Sequence, residues 1–305
     1  MILRVRVPAT SANLGSGFDS LGIALGLYNF VDLVSLGEED RLEVFGEGEG
    51  DLSSREENLL WRAMERTFEL LDFRRPPLGI VCHNAIPMRR GLGSSAAAVI
   101  GGIALACGVA DLTLSPEEVL SLALEFEGHP DNITPCAVGG VVASCLVGKS
   151  VKFVKMPFPE GVYVVVAVPD VEVATEAARE ALPREVSLED AVYSLSRATV
   201  LAASLATGKL ENLLYAMDDR LHQPFRARLF PGGERILEEV RRLEGCLGVA
   251  ISGSGPSVLA FAAGNPHKLA TRMCAIFSES GMRSRFFVLD VDQEGARIEG
   301  GRDAS

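Results

Sequence analysis

Pro87-Met88-Arg89-Arg90-Gly91-Leu92-Gly93-Ser94-Ser95-Ala96-Ala97 joins an apolar run ending at Cys82 to a stretch of small residues that continues to Ala110. The pattern reads as strand, glycine loop and helix. Gly91 and Gly93 allow the backbone to turn its N–H groups to one side without Cβ obstruction. The helix opening at Ser94 adds unpaired N–H donors and the positive end of its dipole. Such a junction suits phosphate, and the hydroxyls of Ser94 and Ser95 suit a helix cap, a phosphate oxygen or a magnesium ion.

Two more glycine-rich polar loops flank it in sequence. Pro8-Ala9-Thr10-Ser11-Ala12-Asn13-Leu14-Gly15-Ser16-Gly17-Phe18-Asp19 is the first, and Ile251-Ser252-Gly253-Ser254-Gly255-Pro256-Ser257 the last. Three such loops are too many for ordinary turns. Gly91-x-Gly93-x-x-Ala96 also fits a weak dinucleotide fingerprint, but that unit needs a second strand ending in an acidic residue about 20 positions on. Asp111 stands at that distance, yet Ala97 to Ala110 is helix-like and leaves no room for the strand. No Gly-x-x-x-x-Gly-Lys-Ser/Thr occurs and the protein-kinase signatures are missing, so neither of those phosphate-binding schemes applies.

The chain has 305 residues, 48% hydrophobic, enough for one large or two moderate domains. Its net charge of −12 argues against a nucleic-acid or anionic-membrane surface. It does not argue against a nucleotide, because loop N–H groups, a few cations and magnesium create a local field. Six cysteines without a CxxC pair read as reduced thiols of a cytoplasmic protein. The N-terminus alternates like a strand rather than a signal peptide, and the longest charge-free apolar run, 96–110, is too short for a bilayer span of about 20 residues.

Periodicity predicts strands over 2–7, 23–34, 42–45 and 78–82, with helices over 56–71 and 94–107. Ser115-Pro116-Glu117-Glu118 starts a further helix carrying Leu120 to Leu124 towards Glu125 and Glu127. A hairpin turns at Gly148-Lys149, and the prolines at 157 and 159 place a domain boundary between 158 and 159. The second half reads as strand 162–168, helices 187–206, 210–221 and 233–243, a strand pair at 248–251 and 257–261, helix 266–280 and strand 284–289. Its polar tail from Glu294 reads as frayed. The fold class is α+β in two domains, 1–158 and 159–305.

In order and spacing, the loops at 87–97 and 251–257 resemble the second and third signatures of the GHMP kinases. Pro8 to Asp19, Glu127-Gly128-His129-Pro130-Asp131-Asn132 and His222-Gln223-Pro224-Phe225-Arg226 resemble the homoserine kinase branch of that superfamily. The likeness spans nearly the whole chain. One departure is Arg89, where the pattern usually has a small residue; its side chain either meets phosphate or points into water.

The resemblance implies a ribosomal-protein-S5-like N-terminal half and a ferredoxin-like C-terminal half, with ATP held by 87–97 and by Gly253 and Gly255. It implies magnesium on Ser95, or its neighbour Ser94, with Glu127 or alternatively Glu125. It implies L-homoserine as the acceptor, on the route to threonine, in a pocket lined by Asn13, Asp19, His129, Asp131, Arg179 and Arg226. An amino acid needs anions for its ammonium and arginine forks for its carboxylate, so Asp19 and Asp131 take the first and Arg179 and Arg226 the second. Some relatives use an aspartate base at the signature where Asp131 stands, while phosphoryl transfer itself needs mostly positioning, here by Asn132 or Thr175. Relatives also imply a homodimer.

Overall fold

The computed structural model describes residues 1–37, 39–52 and 54–300. Its first half comprises β1 (Leu3–Ala12), β2 (Leu21–Leu36), β3 (Arg41–Gly46), α1 (Leu59–Leu70), β4 (Leu78–Asn84), α2 (Ser94–Ala110), α3 (Pro116–Ala123), α4 (Pro130–Val138), β5 (Val141–Val147) and β6 (Ser150–Met156). The second half comprises β7 (Val162–Pro169), α5 (Thr175–Glu180), α6 (Leu188–Thr207), α7 (Leu213–Ala216), α8 (Gln223–Arg226), α9 (Gly233–Val240), β8 (Cys246–Ile251), β9 (Val258–Ala263), α10 (Pro266–Glu279), β10 (Ser284–Leu289) and β11 (Arg297–Glu299).

Two sheets organise the molecule. The first runs β11-β1-β2-β4-β3, with β5 pairing the start of β2 and β6 completing a hairpin on β5. Only β3 and β4 among these pairs are parallel. Because β2 is 16 residues long, it serves β4 with its far end and β5 with its near end. The second sheet has the order β10-β7-β9-β8, all antiparallel, with helical crossovers after β7 and β9. That is the βαββαβ arrangement of a ferredoxin-like layer.

Helix α2 shows why the sequence folds this way. It is apolar on every face, which only a helix buried on all sides tolerates, and Val99, Ile100, Ile103 and Leu105 are fully enclosed. Glycines let α1 approach: a Cβ on Gly102 would meet the Leu60 carbonyl oxygen at 2.2 Å. One core unites this helix layer with Val164, Val166 and Phe261 of the second sheet, while the other face of that sheet packs on α9 and α10 around Ile236, Met273 and Phe277. At the start of α3, Ser115 and Glu118 form a reciprocal capping box.

Besides α5, which the sequence reading lacks, the structure departs from that reading in four places. The helix expected over 210–221 breaks after Ala216, where Asp219 takes the N–H groups of Leu221, His222 and Gln223 into its carboxylate and starts α8. Helix α3 stops at Ala123, so Glu125 and Glu127 lie on tight turns beyond it. Helix α4 was hidden by its prolines: Pro130 sits in the first turn, where a missing N–H costs nothing, and Pro135 lies inside. The tail is not frayed over its described part, and the expectation for 301–305 lies outside the described residues: β11 pairs β1 while Asp292 accepts from Gly295 N–H at 2.6 Å and Tyr28 hydroxyl at 2.9 Å. The unit expected over 159–305 thus returns its last strand to the first sheet. No helix among the described residues is long and apolar enough to cross a membrane.

Candidate active site

The three glycine loops meet. Thr10 N–H donates to the Leu92 carbonyl at 3.1 Å, and Gly253 N–H donates to the Ala12 carbonyl at 3.2 Å. The Ser252 hydroxyl donates to the Gly91 carbonyl at 2.6 Å and lies 2.8 Å from the Ser11 hydroxyl. Ends of β1, β8 and the β4–α2 connection are thereby tied around a cleft of about 180 Å³.

One wall is the head of α2. Gly93 is its N-cap, at φ +68°, and no side chain caps the helix, so Ser94, Ser95 and Ala96 bring uncapped backbone to the cleft. A Cβ on Gly93 would meet Thr10 Oγ1 at 1.9 Å. Thr10 in turn donates to Asn132 Oδ1 at 2.8 Å, which fixes that amide beside the loop.

The opposite wall carries charge. Arg179, in the last turn of α5, grips Asp19 with two parallel bonds of 2.8 and 2.9 Å. Asp19 has φ +52°, stabilised by Asn13 Oδ1 accepting its N–H at 3.0 Å, while Asn13 Nδ2 donates to the Gly253 carbonyl at 3.0 Å. Arg226 is buried and donates to the same carbonyl at 2.9 Å. Phe18 lies under both guanidinium groups, 5.2 Å from each, and stacks on His222. His222 Nε2 lies 2.7 Å from the Gly15 carbonyl, and burial holds the ring well below its usual pKa. It braces the arginine wall and does not line the cleft.

Asp131, in the first turn of α4, is buried at 4% exposure. Burial, then the neighbouring Asp19 charge, pushes its carboxyl up to about 7, against the pull of Arg179 and Arg226. His129 Nε2 lies 3.7 Å from Asp19, and burial lowers its pKa. Glu127 is raised by burial and restrained by a hydrogen bond with Ser95.

Of the residues singled out in the sequence, Asn13, Asp19, Pro87, Arg89, Gly91 to Ala96, Glu127, His129, Asp131, Asn132, Thr175, Arg179, Arg226 and Gly253 line this one cleft. Four do not. Met88 and Ala97 line the neighbouring cavity, Arg90 donates to the Pro169 carbonyl at 3.2 Å, and Gly255 lies behind its loop near Ile251 and Phe230. Glu125 is also outside, paired with Arg66 at 2.8 Å. Arg179 and Asp19, expected to hold opposite ends of a ligand, hold each other.

Sequence reasoning missed that neighbouring cavity, about 240 Å³ between the sheet and α1, which shares Arg89, Ser94 and Ser95 with the cleft. Val31, Val44, Leu52 and Cys82 give it an apolar body and Asn29, Asn58 and Asn84 a polar rim. Each asparagine also serves the backbone nearby. Asn58 caps α1 by accepting Trp61 N–H, Asn29 accepts Ala85 and Ile86 N–H, and Asn84 donates to the Glu47 carbonyl. Nothing in linear order joins them.

The family described as GHMP kinases N terminal domain matches residues 58–140, and GHMP kinases C terminal matches 201–279. The homoserine kinase of Moorella thermoacetica is 43% identical over 92% of this chain and 94% of its own length. That of Petrotoga mobilis is 38% identical over 97% and 96%.

The chain belongs to the homoserine kinase family of the GHMP kinases. A solved homoserine kinase from Cytophaga hutchinsonii superposes with a TM-score of 0.87 at 29% identity, covering 97% of both chains. The L. major mevalonate kinase, at 16% identity and TM-score 0.72 over 95% of this chain and 96% of its own, shares the fold.

Proposed function

We propose that this chain transfers the γ-phosphoryl group of ATP to the side-chain hydroxyl of L-homoserine, giving O-phospho-L-homoserine on the route to threonine. One observation carries the reading: the uncapped head of α2 and the Asp19, Asp131, Arg179 and Arg226 wall face each other across a single cleft. One side accepts phosphate, and the other offers both signs of charge to a zwitterion.

The adenine and ribose enter the apolar cavity beside the cleft, and the triphosphate crosses at Ser94 and Ser95. On binding, the acceptor's carboxylate competes for the Arg179 fork with Asp19, and its ammonium meets the Asp131 carboxylate. Asn132, fixed by Thr10, and Thr175 at the head of α5 orient the hydroxyl for in-line attack.

Magnesium fits beside Glu127 and Ser95, a half-enclosed carboxylate and a hydroxyl that line the same cleft. Among the described residues no group of three metal-ligating side chains exists, so phosphate oxygens would complete the shell. Bound there, magnesium would neutralise charge developing on the transferred group. Six unpaired thiols suit a reducing cytoplasm.

The test is ADP release with magnesium-ATP across L-homoserine, mevalonate, galactose and shikimate, with the product weighed by mass spectrometry. Turnover with homoserine alone supports the assignment; turnover with another alcohol keeps the phosphate loop and overturns the acceptor wall.

A further inference from the structure

Arg89 stands in the loop ahead of α2, and its position is unlike that of the acceptor-wall arginines. It lines the cleft, the apolar cavity beside it and a third hollow rimmed by Glu47, Asp51 and Glu57. Its backbone is left-handed, at φ +51°, and its carbonyl accepts the Val173 N–H at 3.3 Å. The side chain is 69% exposed and reaches Glu172 at 3.5 Å, the long limit of a hydrogen bond.

The remaining arginines of the cleft belong to the acceptor wall. Arg179 is held by Asp19, and Arg226 is buried on the Gly253 carbonyl. Arg89 is the one arginine or lysine lining the apolar cavity among the described residues. An exposed ion pair at that distance contributes little, and Glu172 keeps a second arginine, Arg90 at 3.9 Å, if Arg89 leaves. A chain of net charge −12 gains most from a cation placed where a triphosphate must pass.

We propose that Arg89 exchanges Glu172 for the triphosphate of the bound nucleotide, and that Glu172 is the competing anion that sets nucleotide affinity. The inference rests on the nucleotide-site reading above. A guanidinium forms charge-assisted bonds to phosphate that no small residue supplies.

Calorimetric titration of magnesium-ATP and of adenosine into the wild type, Arg89→Ala, Arg89→Lys, Glu172→Gln and the Arg89→Ala/Glu172→Gln double variant tests it. Arg89→Ala should weaken magnesium-ATP by about 10-fold, leave adenosine unchanged and flatten the salt dependence, with Arg89→Lys between. Glu172→Gln should tighten magnesium-ATP by roughly 3-fold, and the double variant should lose that gain. Unchanged magnesium-ATP affinity in Arg89→Ala, an equal loss for adenosine, or tightening that survives in the double variant overturns the inference. A wild type that binds no magnesium-ATP removes the nucleotide reading itself, and this inference with it.

Discussion

In the function proposed above, Asp131 concentrates the chemistry of the acceptor side in one carboxyl. Buried next to Asp19, it titrates near 7 in the free protein, so at neutral pH a large fraction is uncharged. An ammonium ligand prefers the charged form, and the sign follows: acceptor capture strengthens as pH rises through about 7. Because its folded pKa lies above the ordinary carboxylate value of 3.8, the empty cleft loses stability as pH rises from about 4 to about 7 and keeps that cost above it. A bound ammonium removes that cost. Homoserine should therefore raise the melting temperature more at pH 8 than at pH 6, and kcat/KM should show an inflection near 7 that Asp131→Asn abolishes. That substitution should raise KM by roughly 30-fold, about 2 kcal/mol, with a smaller change in kcat. Collapse of kcat at constant KM would instead make Asp131 a base.

At the scale of elements, the head of α2 shows what a sequence displays and what it hides. The loop was legible because glycine and serine have few other reasons to alternate before a helix. Its partner residues were not. Thr10 controls Gly93 from 83 positions away in β1, at 1.9 Å from where a Cβ would stand, and only the fold reveals that pairing. Gly93→Ala should therefore cost about 2 kcal/mol or more in thermal or urea unfolding and disable nucleotide binding, through both the positive φ and the clash. Wild-type stability in that variant would mean the loop is not held as described. Helix α4 was lost to reading for the opposite reason: proline punctuates strongly, and Pro130 and Pro135 mask a helix that places Asp131 and Asn132 at the cleft. The asparagine rim of the apolar cavity was hidden because each member also satisfies a local backbone group.

The whole molecule makes the site by bringing its halves together. Asp19, Asp131 and the head of α2 come from the first, while Thr175, Arg179, Arg226 and Gly253 come from the second. The returning strand β11 and the bond from Asn13 to the Gly253 carbonyl link the halves. Alternating and helical periodicities carried most of this architecture in sequence, since the two cores require regular apolar faces. The return of the tail was illegible because its order comes from polar bonds of Asp292 to residues far away, such as Tyr28 and Arg6.

The central claim is that both signs of charge on the acceptor wall serve the same hydroxyl that the phosphate loop faces. Initial rates of ADP release with L-homoserine, with 4-hydroxybutanoate, which lacks the ammonium, and with 3-aminopropan-1-ol, which lacks the carboxylate, test it most directly. The account predicts turnover of homoserine and a loss of at least about 100-fold in kcat/KM for each truncated alcohol, since either one forfeits one of the two charged contacts that position the hydroxyl. Turnover of either truncated alcohol on a par with homoserine would contradict it.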